Sequence, residues 1–562
     1  ILKTNIGIEH SQYFNQTLGR RVNPGDQNSM TSVYGQGDTW TWTNTANYNK
    51  TFNEKHHLMA LIGTEAIGYT FKDLSATRFD YIFEDADFMQ IGAGAGNKEN
   101  GGGKTQWSVF SLFGKVDYNF DDRYLASFTI RRDENSRFAK GHRAGVFPAF
   151  SLAWRPSAEE FWPKNEIFTD LKIRYSWGQN GNANIKNLYP TYSYYIYNTG
   201  NGAYDVGGTN AATTPGITVD QTGNPDLTWE TTTQNNIGLD LQLLSGAINV
   251  TADFYVKKTT DMLTNPPTLD VAGEHASMWL NTGSMRNIGW ELSVGYNSPR
   301  YGDFSWNGSF NISQYKNKLL NLNNLQKFIG GDWRLIPGQP MGVYYGYVCD
   351  GIFQTPEQVA NHAYQEGAAP GRLIFRDLDG NGTIDDNDRC IIGNPNPDIS
   401  IGLNLAFKYK AFTLDMFFAG DFGQDIINHM KRQLYFMSYG IVNTNRSVDI
   451  LNAWTPQNTG SDIPALSLDD NNNERRFSTY FVENGSYMKM KYLKLSYEFP
   501  EKICNAICAK NISVFGQVEN VFTITKYKGL DPEILPGEFG SLYDGGAYPR
   551  PRTFTLGVNL SF

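Results

Sequence analysis

The densest set of potential ligand atoms in the sequence is the stretch DLDGNGTIDDND, from Asp377 to Asp388. Its D-x-D-x-N-G-x-x-D-x-x-D spacing is that of a calcium loop, in which oxygen donors gather around a hard cation. Asp377, Asp379 and Asn381 would offer side-chain oxygens, Gly382 the sharp turn and Thr383 its backbone carbonyl, with Asp385 and Asp388 completing the shell. Position twelve is Asp where Glu is usual, and no helical periodicity flanks the loop. The expected occupant is a structural Ca²⁺, which would relieve the mutual repulsion of so many carboxylates. The alternative is a plain Asx/Gly-rich turn.

A second chemistry is stacking on flat rings. Tyr189, Tyr192, Tyr194, Tyr195 and Tyr197 crowd into YPTYSYYIY, and Trp333, Tyr344, Tyr345 and Tyr347 follow later. Of these, Tyr194, Tyr195, Trp333, Tyr344 and Tyr345 are the expected substrate contacts for sugars or peptide side chains, with mutual packing as the alternative role. Catalysis finds no support. Seven His are scattered, no GxSxG, HExxH or P-loop signature stands in a fitting context, and GAGAGNKENGGGK precedes a strand, not a helix. No catalytic residue is assigned and an enzyme is not expected. Four cysteines in 562 residues exclude a disulfide framework, and Cys504 and Cys508 lack the second pair that zinc needs, which leaves a local disulfide in a turn or two idle thiols. Cys349 and Cys390 bracket the acidic loop and are the candidate disulfide pair.

The elements that carry these residues are read from composition and period. Against 48 Lys+Arg stand 57 Asp+Glu, a formal charge of −9 that argues against nucleic acid as a partner. No apolar run approaches the ~18–20 residues of a spanning helix. Aromatics make up 14% beside 56 Gly, a combination that favours strands and sharp turns. About sixteen segments alternate apolar with polar residues at period two. In TFTLGVNLSF, Phe554, Leu556, Val558, Leu560 and Phe562 fall on one face and Thr555, Gly557, Asn559 and Ser561 on the other. MKMKYLKLSYEF changes phase between Met490 and Leu493, which predicts a bulge. Short connections such as NEKH, FDDR, LLSGA, SPRYGD and KYKAF alternate with long Gly/Asn/Asp-rich ones, the largest running from Lys318 to Asn394. Tight turns at one end and long loops at the other are the signature of an all-β, transmembrane antiparallel β-barrel, with periplasmic turns and extracellular loops. Asp240, Gln242, Asp253 and Lys257 would face its lumen. On this topology the acidic loop faces outside, where calcium is abundant.

A series of distinctive segments runs along the chain in a fixed order. They include SVFSLFGKVDYNFDDRYLASFTIRRDENSRFAKGHRAGVFPAFSLAWRPSAEEF from Ser108, LKIRYSWGQNGN from Leu171, NPDLTWETTTQNNIGLDLQLL from Asn224 and TGSMRNIGWELSVGY from Thr282. IPGQPMGVYYGYVCDGIFQT from Ile336, VENGSYMKMKYLKLSYEFP from Val482 and YPRPRTFTLGVNLSF from Tyr548 complete the series. Together they resemble the C-terminal barrel of SusC/RagA-type TonB-dependent transporters of Bacteroidetes outer membranes. The resemblance implies about sixteen of an expected 22 barrel strands in residues 1–562, with signal peptide, N-terminal extension, TonB box and plug outside this chain. It further implies active import of an oligosaccharide or peptide. The implied partners are a SusD-like surface lipoprotein, TonB with ExbB and ExbD acting through the plug, the remaining N-terminal strands, membrane lipid, and pairing of two transporter–lipoprotein units. A passive sixteen-stranded porin is the alternative, and an outer-membrane enzyme or adhesin a more distant one.

Overall fold

The computed structural model describes all residues except 22–24, 164, 186–188, 199–204, 206–207, 209–215, 267–277, 323–327, 330, 439–444 and 538–539. Sixteen strands form one antiparallel sheet in which each pairs with its sequence neighbours. In chain order they begin with β1 Leu2–Gly19, β2 Ser29–Phe52, β3 His56–Phe79, β4 Lys98–Phe120, β5 Tyr124–Asn135, β6 Ala144–Trp154, β7 Phe168–Asn182 and β8 Glu230–Leu243. They continue as β9 Ile248–Thr260, β10 Ser284–Asn297, β11 Phe304–Asn321, β12 Ile399–Tyr409, β13 Phe412–Phe422, β14 Tyr487–Glu498, β15 Asn511–Thr525 and β16 Thr553–Ser561. Among the described residues no helix is long and apolar enough to cross a membrane.

The connections alternate as the sequence predicts. Hairpins β2–β3, β4–β5, β8–β9 and β12–β13 close through tight turns. Their residues take left-handed backbone at Asn53 and Glu54, Asp121 and Asp122, Leu244 and Ser245, and Lys410, the conformation that matches strand twist. At the other strand ends lie 80–97, a run of turns, and 183–229, 322–398, 423–486 and 526–552, in which small sheets and short helices occur. Two turn-side connections are longer than expected: 155–167 holds a 3₁₀ turn, and 499–510 holds the helix Glu501–Ala506. The predicted phase change is present. Met490 pairs with Phe418 and Tyr492 with Phe417, leaving Lys491 as the bulged residue.

The chain divides into two compact units, each contributing to this sheet. The first comprises Ile1–Trp154, Tyr175–Asn235 and Thr259–Thr282; the second comprises Arg155–Arg174, Asn236–Lys258 and Gly283–Phe562. In the first, Phe110, Leu112, Val116, Phe128 and Ile130 expose 42 to 49% of their surface on one face. On the other, Arg131 bonds Glu65 at 2.8 Å, Asp133 at 2.7 Å and Ser111 at 2.8 Å. In the second, the β16 row Phe554, Leu556, Val558, Leu560 and Phe562 is 51 to 91% exposed. Arg174 there holds Asp240 at 2.8 Å and Asp253 at 3.2 Å, so two of the predicted lumen-facing carboxylates are neutralised by the sheet itself. A greasy outer face and a hydrogen-bonded inner face invert the plan of a water-soluble protein, and they suit strands that meet lipid on one side.

Candidate functional site

The long connections of the second unit fold onto a core of their own: Tyr344, Ile352, Leu373, Phe375, Ile427, Phe436, Trp454, Phe477 and Phe481. The strands Trp333–Leu335, Val343–Tyr347 and Arg389–Gly393 lie in a four-stranded sheet beside it. The pairing shifts register between Tyr344 and Tyr345, and the three aromatic residues expected to touch substrate differ in burial: Tyr344 is buried, whereas Trp333 and Tyr345 are half-buried.

Tyr344 is fully buried. Its Oη lies 3.0 Å from the carbonyl of Asp425 and 3.1 Å from that of Leu542, and accepts from the Leu542 N–H at 3.0 Å. Burial pushes its hydroxyl well above the usual tyrosine range. The expectation that Tyr344 stacks on substrate is therefore corrected: it fastens three connections together and has no free face. Trp333, paired with Tyr344, packs against the same core and is half-buried. Tyr345 is half-buried, with the guanidinium groups of Arg334 and Arg389 at 5.3 and 5.6 Å from its ring. In the first unit, Tyr194 and Tyr195 begin the strand Tyr194–Asn198, which pairs with Gly216–Gln221. Tyr195 is 68% exposed beside exposed Tyr192 and Ile217, whereas Tyr194 is half-buried. Burial, then the neighbouring Tyr189 and Tyr192, raise the Tyr194 hydroxyl above its ordinary value. The side chain of Tyr197 lies outside the described residues.

The acidic loop converges in part. Single carboxylate oxygens of Asp377, Asp379 and Asp388 lie within 4.8 Å of one another. Asp377 accepts from the N–H groups of Gly380 at 2.8 Å and Gly382 at 2.9 Å, and these bonds, that of Gly382 first, hold its carboxyl below the usual range. Gly380 and Gly382 have φ of 72° and 82°, which a side chain would strain. Fully buried Asp388 accepts from Leu378 N–H at 2.7 Å and Asp385 N–H at 2.8 Å. Asp385 caps the 3₁₀ turn Asp386–Asp388 through Asn387 N–H, and Asn381 donates to Asp379 and Asp385 at 3.1 and 3.2 Å. Thr383 is exposed and donates its N–H to Asn381. Three of the six expected ligands thus already bring carboxylate oxygens together, and Asn381 links Asp379 to Asp385. Two unit charges 4 Å apart repel by about 4 kcal/mol at an effective dielectric of ~20, so the cluster suits a divalent cation.

Neither candidate disulfide, Cys349–Cys390 or Cys504–Cys508, is formed: all four cysteines are free thiols. Burial pushes the Cys349 thiol up to about 11, so it is protonated and unreactive at neutral pH. Sequence reasoning missed Arg334, on the adjoining strand opposite Val343, and Arg389 and Arg476, which come to the Val343–Tyr347 strand from distant segments. The signal within reach was the i, i+2 aromatic pair of YYGY, which puts Tyr345 and Tyr347 on one face.

An antiparallel sheet of sixteen strands, apolar on one face and polar on the other, with tight turns at one end and folded loops at the other, defines an outer-membrane β-barrel. The family model described as TonB dependent receptor-like, beta-barrel matches residues 3–521, and the chain belongs to that family. It is 30% identical over 555 residues to TonB-dependent receptor P3 of Formosa agariphila, covering 93% of this chain and 53% of that protein. It is 29% identical over 596 residues to TonB-dependent receptor SusC of Bacteroides thetaiotaomicron, covering 99% of this chain and 55% of that protein. A chain of the RagAB peptide transporter superposes with a TM-score of 0.83 at 26% identity, over 100% of this chain and 60% of that one. The chain is thus a TonB-dependent receptor barrel that resides in the outer membrane, and it is similar to SusC and to RagAB. It spans about half the length of the curated relatives it matches.

Proposed function

We propose that the chain is the barrel portion of an active importer that brings a bulky nutrient, oligosaccharide or peptide, across the outer membrane. The observation that supports this most is the likeness to the RagAB peptide transporter over the whole chain. In this reading a SusD-like lipoprotein closes the long-loop side, and TonB with ExbB and ExbD acts through a plug carried by another segment. Sheet-end strands β1 and β16 have backbone edges that lipid cannot satisfy. Further N-terminal strands would pair with them, and transporter–lipoprotein units would associate in twos. No catalytic step is assigned.

Within this reading, Asp377, Asp379 and Asp388 hold a structural Ca²⁺, with Asn381, Thr383 and Asp385 completing its oxygen shell. Tyr195, the most exposed of the expected aromatic contacts, serves substrate together with Tyr194, Trp333 and Tyr345. The test is uptake of fluorescent oligosaccharides and peptides by cells carrying or lacking the gene, with and without TonB. Accumulation that needs both is expected. Uptake independent of TonB, together with steady conductance of the purified protein in a planar bilayer, would instead establish a passive pore.

A further inference from the structure

In the second unit, the outward face of β9, β10 and β11 changes character toward the long connections. β10 enters from 261–283 and β11 leaves into 322–398, so their loop-side ends are Ser284 and Asn321. Along the outward positions toward those ends, Leu292, Phe310 and Ile312 give way to Phe254 and Trp290, and the Trp290 indole N–H donates to Gln314 Oε1 at 3.0 Å. An apolar band that ends on aromatic rings marks the level where acyl chains meet headgroups. Beyond the rings, on the same alternation, stand Lys258 on β9, Arg286 on β10, and Lys316 and Lys318 on β11. The outward face is thus crowned by four cations.

The register brings these charges together. Arg286 lies directly opposite Lys318, Ile288 opposite Lys316 and Trp290 opposite Gln314. Like charges directly opposite one another on a sheet face are destabilising, so the Arg286–Lys318 pair calls for an anion between them. This chain supplies none: among the described residues, the side chains of Lys258, Arg286, Lys316 and Lys318 make no ion pair or hydrogen bond. Glu291, the acidic residue of β10, falls on the opposite face, and Asp261, just past the end of β9, pairs with none of the four. Arg132, an outward cation of the first unit, is by contrast paired with Glu134 at 2.5 Å. Lys258, Lys316 and Lys318 are exposed and Arg286 is half-buried. Phe254, Ile288 and Trp290 join Arg286, Lys316 and Lys318 in lining a cleft of about 380 Å³, whose walls are part apolar and part cationic.

We propose that this cleft binds a phosphorylated glycolipid of the outer leaflet, with phosphate held among Arg286, Lys316, Lys318 and Lys258 and an acyl chain along Phe254, Ile288 and Trp290. The proposal rests on residence in the outer membrane and does not depend on what is imported. An arginine fork and lysine point charges are complementary to phosphate oxygens. A soluble anion would use the cations alone. The adjoining rings, continuous with the lipid-facing rows of Leu292 and Phe310, select a ligand that is anionic at one end and apolar at the other.

The test is native mass spectrometry of the purified full-length receptor in detergent, titrated with phosphorylated lipid A, with the same lipid A stripped of phosphate, and with inorganic phosphate as competitor. The phosphorylated lipid is expected to bind ten times or more tightly than the stripped one, and millimolar phosphate should leave it bound. The double variant Lys316→Gln with Lys318→Gln should lower that affinity at least fivefold, as should Arg286→Gln alone. Arg132→Gln, which removes an outward charge of the first unit, should change it less than twofold. Heat-modifiable migration in gels reports whether each variant is folded, and either of the two cleft variants suffices. Parity between the two lipids, displacement by phosphate alone, indifference to the cleft substitutions, or an equal loss in Arg132→Gln would each overturn the proposal.

Discussion

At the scale of single residues, Tyr344 and Asp379 separate two roles that look alike in the sequence. Tyr344→Phe keeps the ring but leaves the buried Leu542 N–H without its acceptor, at a cost of about 1–3 kcal/mol. The expected result is faster proteolysis within 526–552 and 423–486 while the folded sheet keeps its gel mobility. Asp379 is exposed, and its bonds are to Asn381. Asp379→Asn should therefore leave the metal-free loop intact yet weaken calcium binding at least tenfold, read by titration calorimetry. Chelation should expose 377–388 to protease in the parent protein, and added Ca²⁺ should protect it. The motif was legible because its donors lie within twelve consecutive positions. The burial of Tyr344 was not, because its partners Asp425 and Leu542 come from other connections and no local pattern encodes them.

At the scale of elements, the strands were readable from period two, and even the bulge at Lys491 was visible as a slipped phase. How the long connections dock was hidden, since docking rests on pairs far apart in sequence. Lys489, almost completely buried, bonds Asp531 and, at 3.0 Å, Glu533, while Lys491 also reaches Glu533. Burial works to raise the Asp531 and Glu533 carboxyls, but the bonds and charge of the lysines outweigh it and hold both below their ordinary values. A carboxylate depressed in the folded state stabilises it above the unfolded pKa, about 4, and that contribution is lost as pH falls through the folded value. The segment 526–552 should thus stay docked between pH ~5 and 8 and loosen below pH ~4. A spin label at Tyr548→Cys, an 89% exposed site, should sharpen its spectrum over that lower range. Lys489→Met should already show the mobile spectrum at neutral pH, because two carboxylates lose their buried partner.

At the scale of the whole molecule, the two-faced sheet decides which solvent each surface meets, and the decision can be tested one side chain at a time. Ile130 pairs with Gly114 and Pro148 in mid-strand, and its exposed side chain continues the row of Phe128 and Val116. In water such a row would cost the hydrophobic stabilisation of each side chain, about 1.5–3 kcal/mol apiece, while against acyl chains it costs nothing. The neighbouring Thr129 points to the face where Arg131 bonds Glu65. Ile130→Arg would place a charge on the lipid side near mid-depth, at about 2–4 kcal/mol, whereas Thr129→Arg adds one more cation to a polar, hydrogen-bonded surface. If the apolar face meets lipid, reversible folding into vesicles should be weakened by Ile130→Arg and nearly indifferent to Thr129→Arg. If the same exposed face met water instead, Ile130→Arg would be tolerated, since an arginine is at home on a water-exposed surface. Because this row is exposed, the cost of Ile130→Arg over that of Thr129→Arg reports whether lipid or water meets the apolar face, independently of any likeness to known transporters.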